Sequence, residues 1–154
     1  MHDTNPELFN LAMSPEAQPL LDAVKKHIAE NVDPIADEFY TLQKEKEDPW
    51  VWHPRQLELL EGAKQKARDA GLGNFFLPSS EIGKGLTNLD YAYIAAELGK
   101  SPLSSQTLNC SAPDTGNMEV LERVGTPEQQ ETWLKPLLEG EIRSAYAMTE
   151  PHVA

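Results

Sequence analysis

The chain is short of cysteine, of positive charge and of long apolar runs, and each shortage excludes a class of function. Cys110 is the one cysteine in 154 residues, so it can form no internal disulfide and has no second thiol at metal-ligand spacing. Lys and Arg number 13 against 25 Asp and Glu, a formal net charge of -12 at pH 7. That excess repels phosphate backbones and anionic headgroups, which argues against nucleic acid and lipid surfaces as partners. No stretch approaches the roughly 20 apolar residues that cross a bilayer, so no integral membrane segment is expected. The histidines, His2, His27, His53 and His152, are scattered with no pair at helical spacing, and no metal site is expected. Cys110 lies in N-C-S-A-P with no basic neighbour to lower its pKa, and there is no G-x-S-x-G elbow. Nucleophilic catalysis therefore has no support, and a buried structural thiol is the expectation for Cys110.

What is present is ordinary for a globular domain. Hydrophobic residues make up 40% and charged residues 25%, and a chain of this length buries about two thirds of its unfolded surface, enough for one real core. The first residues carry acids at Asp3 and Glu7 without a basic n-region or an apolar run of signal length. They read as the start of a cytoplasmic protein.

Helical signals dominate. Ser14, Pro15 and Glu16 read as a helix start, with a capping hydroxyl, a proline that needs no N–H and an acid at the positive end of the dipole. Leu21, Val24, Ile28, Val32, Ile35, Phe39 and Leu42 then recur at gaps of three or four, which describes one buried face. Pro34 interrupts that pattern and predicts a kink near Val32, or two helices end to end. Beyond an acidic and aromatic connector, Pro54 opens a helix with Leu57, Leu60, Ala63 and Ala67 inward, entered at His53 and closed by a left-handed Gly71.

The stretch from Gly71 to Gly85 carries four glycines and a proline but lacks phosphate-loop spacing. Thr87 caps a third helix, apolar nearly all round from Leu89 to Leu98 apart from Asp90 and Glu97, with Tyr91, Ile94, Ala95 and Leu98 in the central core; Gly99 and Pro102 end it. A helix from about Asp114 to Val124 should bury Met118, Leu121 and Val124. Thr126, Pro127, Glu128 and Gln129 form a capping box, after which Trp133, Leu137 and Leu138 face inward until Gly140. From Ile142 to Thr149 the period changes to two, as in a strand. A lone strand has nothing to pair with, so its partners are expected in sequence that follows. The fold class that results is all-α, a bundle of about five to six helices with one short C-terminal strand.

Four segments resemble one family. They are G-L-G-N-F-F-L-P-S-S-E-I-G-K-G-L-T, A-A-E-L-G-K-S, G-T-P-E-Q-Q-E-T-W-L-K-P-L-L-E-G-E-I and A-Y-A-M-T-E-P, and over most of its length the chain resembles the N-terminal helical domain of the acyl-CoA dehydrogenases. In that family Thr-Glu-Pro is followed by a small-residue turn and Ser-Asp, whereas this sequence stops at Ala154. The resemblance therefore implies residues 1–141 as the helical domain and 142–154 as the first strand and turn of a middle β-domain that is cut short. It implies FAD as cofactor, an acyl-CoA thioester as substrate, and an electron-transfer flavoprotein or similar acceptor. It also implies a homo-oligomer in the complete enzyme. Tyr146, Ala147, Met148 and Thr149 would contact the flavin, Thr149 through its hydroxyl, and the loop from Asn109 to Asn117 would line the acyl-chain end of the pocket. Glu150 would support the turn, the catalytic base lying in a later helical domain, so no residue here is expected to be catalytic and the fragment alone is expected to be inactive. The alternative from another class is a stand-alone helical interaction module without catalysis.

The first expectation is directly measurable: the far-ultraviolet circular dichroism of the chain should be that of a helical protein. A spectrum dominated by β-structure would contradict the reading.

Overall fold

In the computed structural model the described residues are 10–78 and 81–152. The acids at Asp3 and Glu7 and the last two residues of the tail lie outside them. Helices are α1 (Gln18–His27), α2 (Asp33–Lys44), α3 (Pro54–Asp69), α4 (Asn88–Leu98), α5 (Pro102–Thr107), α6 (Asp114–Val124), α7 (Pro127–Gln129) and α8 (Lys135–Glu139). A π-helical turn, Ile28–Val32, joins α1 to α2, and a second, Gln130–Leu134, joins α7 to α8. The segments thus form six helical rods, and the fold is all-α.

Both π turns answer the same local problem. A proline inside a helix lacks an N–H and drives its ring toward the carbonyl four residues back. Pro34 and Pro136 each follow a π turn by two residues, and the residue before each proline bonds five residues back, Asp33 to the Ile28 carbonyl and Lys135 to the Gln130 carbonyl. A turn widened by one residue gives the ring room, so the chain continues as helix through Pro34. The widened turn also delays the helical phase by one residue. Leu134 and Leu137 are buried, while Trp133, expected inward, is 55% exposed.

Other boundaries follow their caps. His53 accepts a bond from the Arg55 amide and forms a capping box with Gln56 at the start of α3; Thr87 caps α4 and Thr126 caps α7 with Gln129. Gly71 and Gly140 adopt left-handed φ values of 66° and 72°, as helix-ending glycines do. The first helix starts later than Ser14 suggests. Residues 15–17 form a turn, α1 begins at Gln18 with Pro19 in its first turn, and the Ser14 amide instead donates to the Asp90 carboxylate at 2.8 Å. Asp90 is buried and also accepts from the Thr87 hydroxyl at 2.7 Å, so a residue that looked like a break in an apolar helix is a staple between α4 and the entry to α1.

Three apolar clusters fill the body. Leu21 and Val24 of α1 meet Ala67 of α3, Ile94 and Leu98 of α4, and Leu72, Phe75, Leu108 and Cys110 from loops. Val32, Phe39, Leu59, Leu60 and Leu103 form the second cluster, and Leu77, Met118, Leu134 and Leu137 the third. Phe75 and Leu77 are wholly buried although they lie in the glycine-rich loop; they link the first cluster to the third. Helix α4 buries one face through Ile94 and Leu98, with Tyr91 and Ala95 half-buried and Tyr93 exposed, so it is less enclosed than its composition suggests. Leu57 and Val124 are exposed, the inward places on their helices being held by Gln56, Leu59 and Met118. Short helix α5, unforeseen in the sequence, buries Leu103 and Thr107.

The strand expected over residues 142–149 is not formed. The segment is non-helical chain without a ladder, apart from an isolated bridge at Glu150. Backbone edges become a strand only against a partner, and no helix of the body can supply one.

His27 is buried between α1 and α5. Its Nε2 lies 3.2 Å from the Thr107 hydroxyl and its Nδ1 lies 3.4 Å from the Asn31 side-chain amide. An amide nitrogen can only donate, so Nδ1 accepts and Nε2 carries the proton toward Thr107, whose hydroxyl donates to the Ser104 carbonyl at 2.9 Å. Burial, reinforced by Lys66, pushes the imidazole pKa below its ordinary value of 6.5. The unfolded chain therefore takes up the proton first, and stability present above pH 6.5 is lost as pH falls toward the lowered folded value. Denaturant midpoints should drop between pH 7 and 5, and His27→Gln should flatten that slope. An unchanged slope would contradict the role of His27.

Candidate functional site

The tail leaves the helical body through two sets of side-chain bonds. The first holds the end of α8. Asn74 and Asn109 both adopt left-handed φ, 54° and 55°, a conformation that asparagine tolerates better than most residues. Asn109 Nδ2 donates to the Asn74 Oδ1 at 2.8 Å and to the Leu137 carbonyl at 2.9 Å, while Asn74 Nδ2 donates to the Leu138 carbonyl at 2.8 Å. Carbonyls at a helix C-terminus have no intrahelical partner. The two asparagines, from different loops, bond the Leu137 and Leu138 carbonyls alongside the Gly140 amide, which donates to Leu137, and so fix where α8 ends.

The second set holds Arg143 and Ser144. Asp114, the first residue of α6, is 2% exposed. Its Oδ1 accepts from the Ser144 amide at 2.7 Å and the Ser144 hydroxyl at 2.6 Å, and its Oδ2 from Arg143 Nε at 2.5 Å. One turn further along α6, Asn117 Nδ2 donates to the Ser144 hydroxyl at 2.8 Å and reaches toward the Ala145 carbonyl at 3.5 Å. Residues 114 and 117 share one face of α6 because they are three apart. Burial by itself pushes the Asp114 carboxyl upward, but the bonds from Ser144 and then Arg143 outweigh it and hold the group below the ordinary carboxylate range.

Beyond that grip the predicted cofactor-binding residues are presented to solvent. Tyr146 is 70% and Met148 74% exposed, and Ala147 and Thr149 are exposed as well. They lie side by side along the chain without closing a pocket. An open groove of about 470 Å³ runs beside their base, lined by Val120, Leu121, Trp133, Leu137 and Ile142 with Asn117 and Ser144 at its polar end. Cys110 is buried in the loop that precedes α6, donates to the Leu108 carbonyl, and is raised in pKa by burial. It is a structural thiol, as its sequence context suggested. Among the described residues no group of three or more His, Cys, Asp or Glu could hold a metal ion, and no helix is long and apolar enough to cross a membrane.

The pattern of caps, loop and tail has known counterparts. The model of the family "Acyl-CoA dehydrogenase, N-terminal domain" matches residues 14–141. The chain belongs to the acyl-CoA dehydrogenase family. It is 44% identical over 156 residues to acyl-CoA dehydrogenase family member 11 of Gallus gallus, a match covering 99% of this chain and 19% of that protein. Its identity to family member 10 of Mus musculus is 45% over 147 residues, covering 92% of this chain and 13% of that protein. A solved structure of a Mycobacterium abscessus protein assigned to the acyl-CoA dehydrogenases superposes with a TM-score of 0.82 at 44% identity, covering 93% of this chain and 36% of that one. The chain thus spans less than a fifth of these curated relatives and corresponds to the dehydrogenase N-terminal domain.

Sequence reading of this dehydrogenase domain found the presented residues and missed those that hold them. Asp114 stood out only as a helix start, and Asn74 and Asn109 as loop residues. A usable signal existed: an acid directly after Pro113 at a helix N-terminus, and asparagines flanking Gly73 and Cys110 where glycine is absent. Asn109→Ala should destabilise the domain by about 2 kcal/mol or more, from left-handed strain plus lost bonds. Asn109→Gly, free of the strain, should cost about half as much. Equal effects of the two on chemical denaturation would contradict the backbone component.

Proposed function

We propose that the chain is the helical lobe of a cytoplasmic, flavin-dependent acyl-CoA dehydrogenase, with residues 1–141 as that lobe and 142–154 as the first strand and turn of a middle β-domain. The reaction is α,β-dehydrogenation of an acyl-CoA thioester: the proton from C2 goes to a base outside this chain and the hydride from C3 to FAD. When bound, FAD supplies the hydride acceptor. An electron-transfer flavoprotein or a similar acceptor then reoxidises it, and the complete enzyme is a homo-oligomer.

One observation carries the reading. The residues that match the family's flavin motif, Tyr146, Ala147, Met148 and Thr149, are held outward at the end of a segment fixed to the lobe by Asp114 and Asn117. An exposed aromatic ring, a flexible thioether, a hydroxyl and adjacent backbone amides fit one edge of a planar heterocycle. They do not enclose it. The chain's own contribution is to position that edge against the loop from Asn109 to Asn117, which would line the acyl-chain end. No residue of this chain acts as acid or base in the scheme. A catalytic geometry needs both faces of the flavin and the base held within about 0.5 Å of the productive arrangement, so the chain alone is inactive.

Purified chain mixed with FAD, an acyl-CoA and an artificial electron acceptor should bleach no acceptor. Turnover that survives re-purification would contradict the inactive-lobe reading. Joined in frame to the remaining part of the Mycobacterium abscessus relative, the chain should give a yellow protein that acyl-CoA bleaches; a folded, colourless hybrid would contradict the flavin reading and favour an interaction module.

A further inference from the structure

We infer that Asp114, assisted by Asn117, is a positioning residue that locks the flavin-contacting segment to the loop expected to line the acyl chain, so that the two edges of the site move as one body. This rests on the flavin reading of Tyr146 to Thr149. Three features of the geometry carry it. Asp114 sits at the junction of the loop and α6, so whatever it grips is referenced to that loop. All three donors it receives come from Arg143 and Ser144, two residues before the presented segment begins. Ser144 is gripped from two sides, its hydroxyl donating to Asp114 and accepting from Asn117, which fixes rotation of the chain as well as its distance from α6.

A buried carboxylate is an economical lock for a segment that forms no ladder among the described residues. It accepts the Ser144 amide, which would otherwise wait for a sheet, and the Arg143 guanidinium gives the buried charge its counter-ion. The helix supplies a further reason for the charge: at the first residue of α6 the carboxylate meets the positive end of the helix dipole. An uncharged amide at 114 would keep at most the two Ser144 bonds to one oxygen and would lose the Arg143 pair. The charged group bonded to Asp114 is Arg143 from the tail; Lys64 of α3 lines the same small cleft and is itself paired with Glu61 at 2.7 Å. Acid should therefore release the lock by protonating Asp114.

The test measures the segment's position in the chain itself. Spin labels on Met148→Cys and on Ala96→Cys in α4, both exposed positions, leave the buried Cys110 thiol unlabelled. Pulsed dipolar spectroscopy at pH 7 should give one narrow distance distribution. Asp114→Ala should broaden it at least twofold, and the pair Asn117→Ala with Ser144→Ala, which spares the start of α6, should broaden it without loss of helical dichroism. Lowering the pH should broaden the parent's distribution as the carboxylate takes up its proton, while Asp114→Asn, with no charge to lose, should show the same distribution at every pH. A width insensitive to all these changes would overturn the lock, as would a pH response that persists in Asp114→Asn. FAD titrated against the hybrid with the remaining part of the Mycobacterium abscessus relative, which supplies the enclosing domains, separates the lock from the flavin reading. Resonances of Tyr146 to Thr149 should shift, at least tenfold less steeply with FAD in Asp114→Ala. Shifts of equal steepness in the two proteins would overturn the positioning role. An absence of shifts in both, alongside the expected distance data, would remove the flavin reading and with it the role proposed for the lock, leaving Asp114 a structural anchor.

Discussion

The structure turns on one buried carboxylate. Asp114 lies at 2% exposure between a helix start and a tail whose residues 143–149 form no ladder, and an ion in that position is tolerable only because every donor around it is directed inward. Remove the Ser144 bonds and the charge is left with Arg143 alone. Remove the carboxylate and the Ser144 amide and hydroxyl lose their acceptor. The direction in which the chain leaves the lobe, and so the place of Tyr146 to Thr149, depends on this mutual requirement rather than on regular secondary structure. The asparagine pair at the end of α8 does the same for the preceding turn, using left-handed backbone at Asn74 and Asn109 to bring two side-chain amides onto helix carbonyls.

Upstream, the lobe is organised around accommodating proline. Pro34 and Pro136 lie within helical stretches, and at both the cost of a missing N–H is met by a widened turn rather than by a break. The consequence differs between the two. At Pro34 the buried face runs on through Val32 and Phe39, so the long first rod spans two clusters. At Pro136 the phase shift turns Trp133 outward and Leu134 inward, which seals the third cluster with Leu134 and leaves an indole on the rim of the groove beside Ile142. A one-residue change in turn width thereby decides which apolar surface is core and which faces outward.

These two features mark where sequence reading succeeds and where it stops. Caps and periodicity are local, so the Thr87, His53 and Thr126 starts, the Gly71 and Gly140 ends, and the stripe from Leu21 to Phe39 were legible in the sequence. Phase through a π turn is not: nothing in Q-E-T-W-L-K-P announces the extra residue that reorients Trp133. The same holds for polar contacts between distant segments. Asp90 read as an interruption of an apolar helix because its partner, the Ser14 amide, lies 76 residues away, and Asp114 read as a helix start because Ser144 lies 30 residues beyond it. The tail motif identified the flavin-contacting candidates by resemblance, yet its alternating pattern was taken for a strand. Alternation alone does not make a ladder, and residues 143–149 stay as extended chain.

The central claim is that side-chain bonds to Asp114, and not sheet pairing, hold the tail of this chain. Residue-resolved amide hydrogen exchange on the monomer tests it most directly. The account predicts a slow amide at Ser144, whose N–H is bound by the carboxylate, followed by exchange at the free-chain rate from Tyr146 to Thr149. Protection alternating from Arg143 to Thr149, as a paired strand would give, or a fast amide at Ser144, would contradict it.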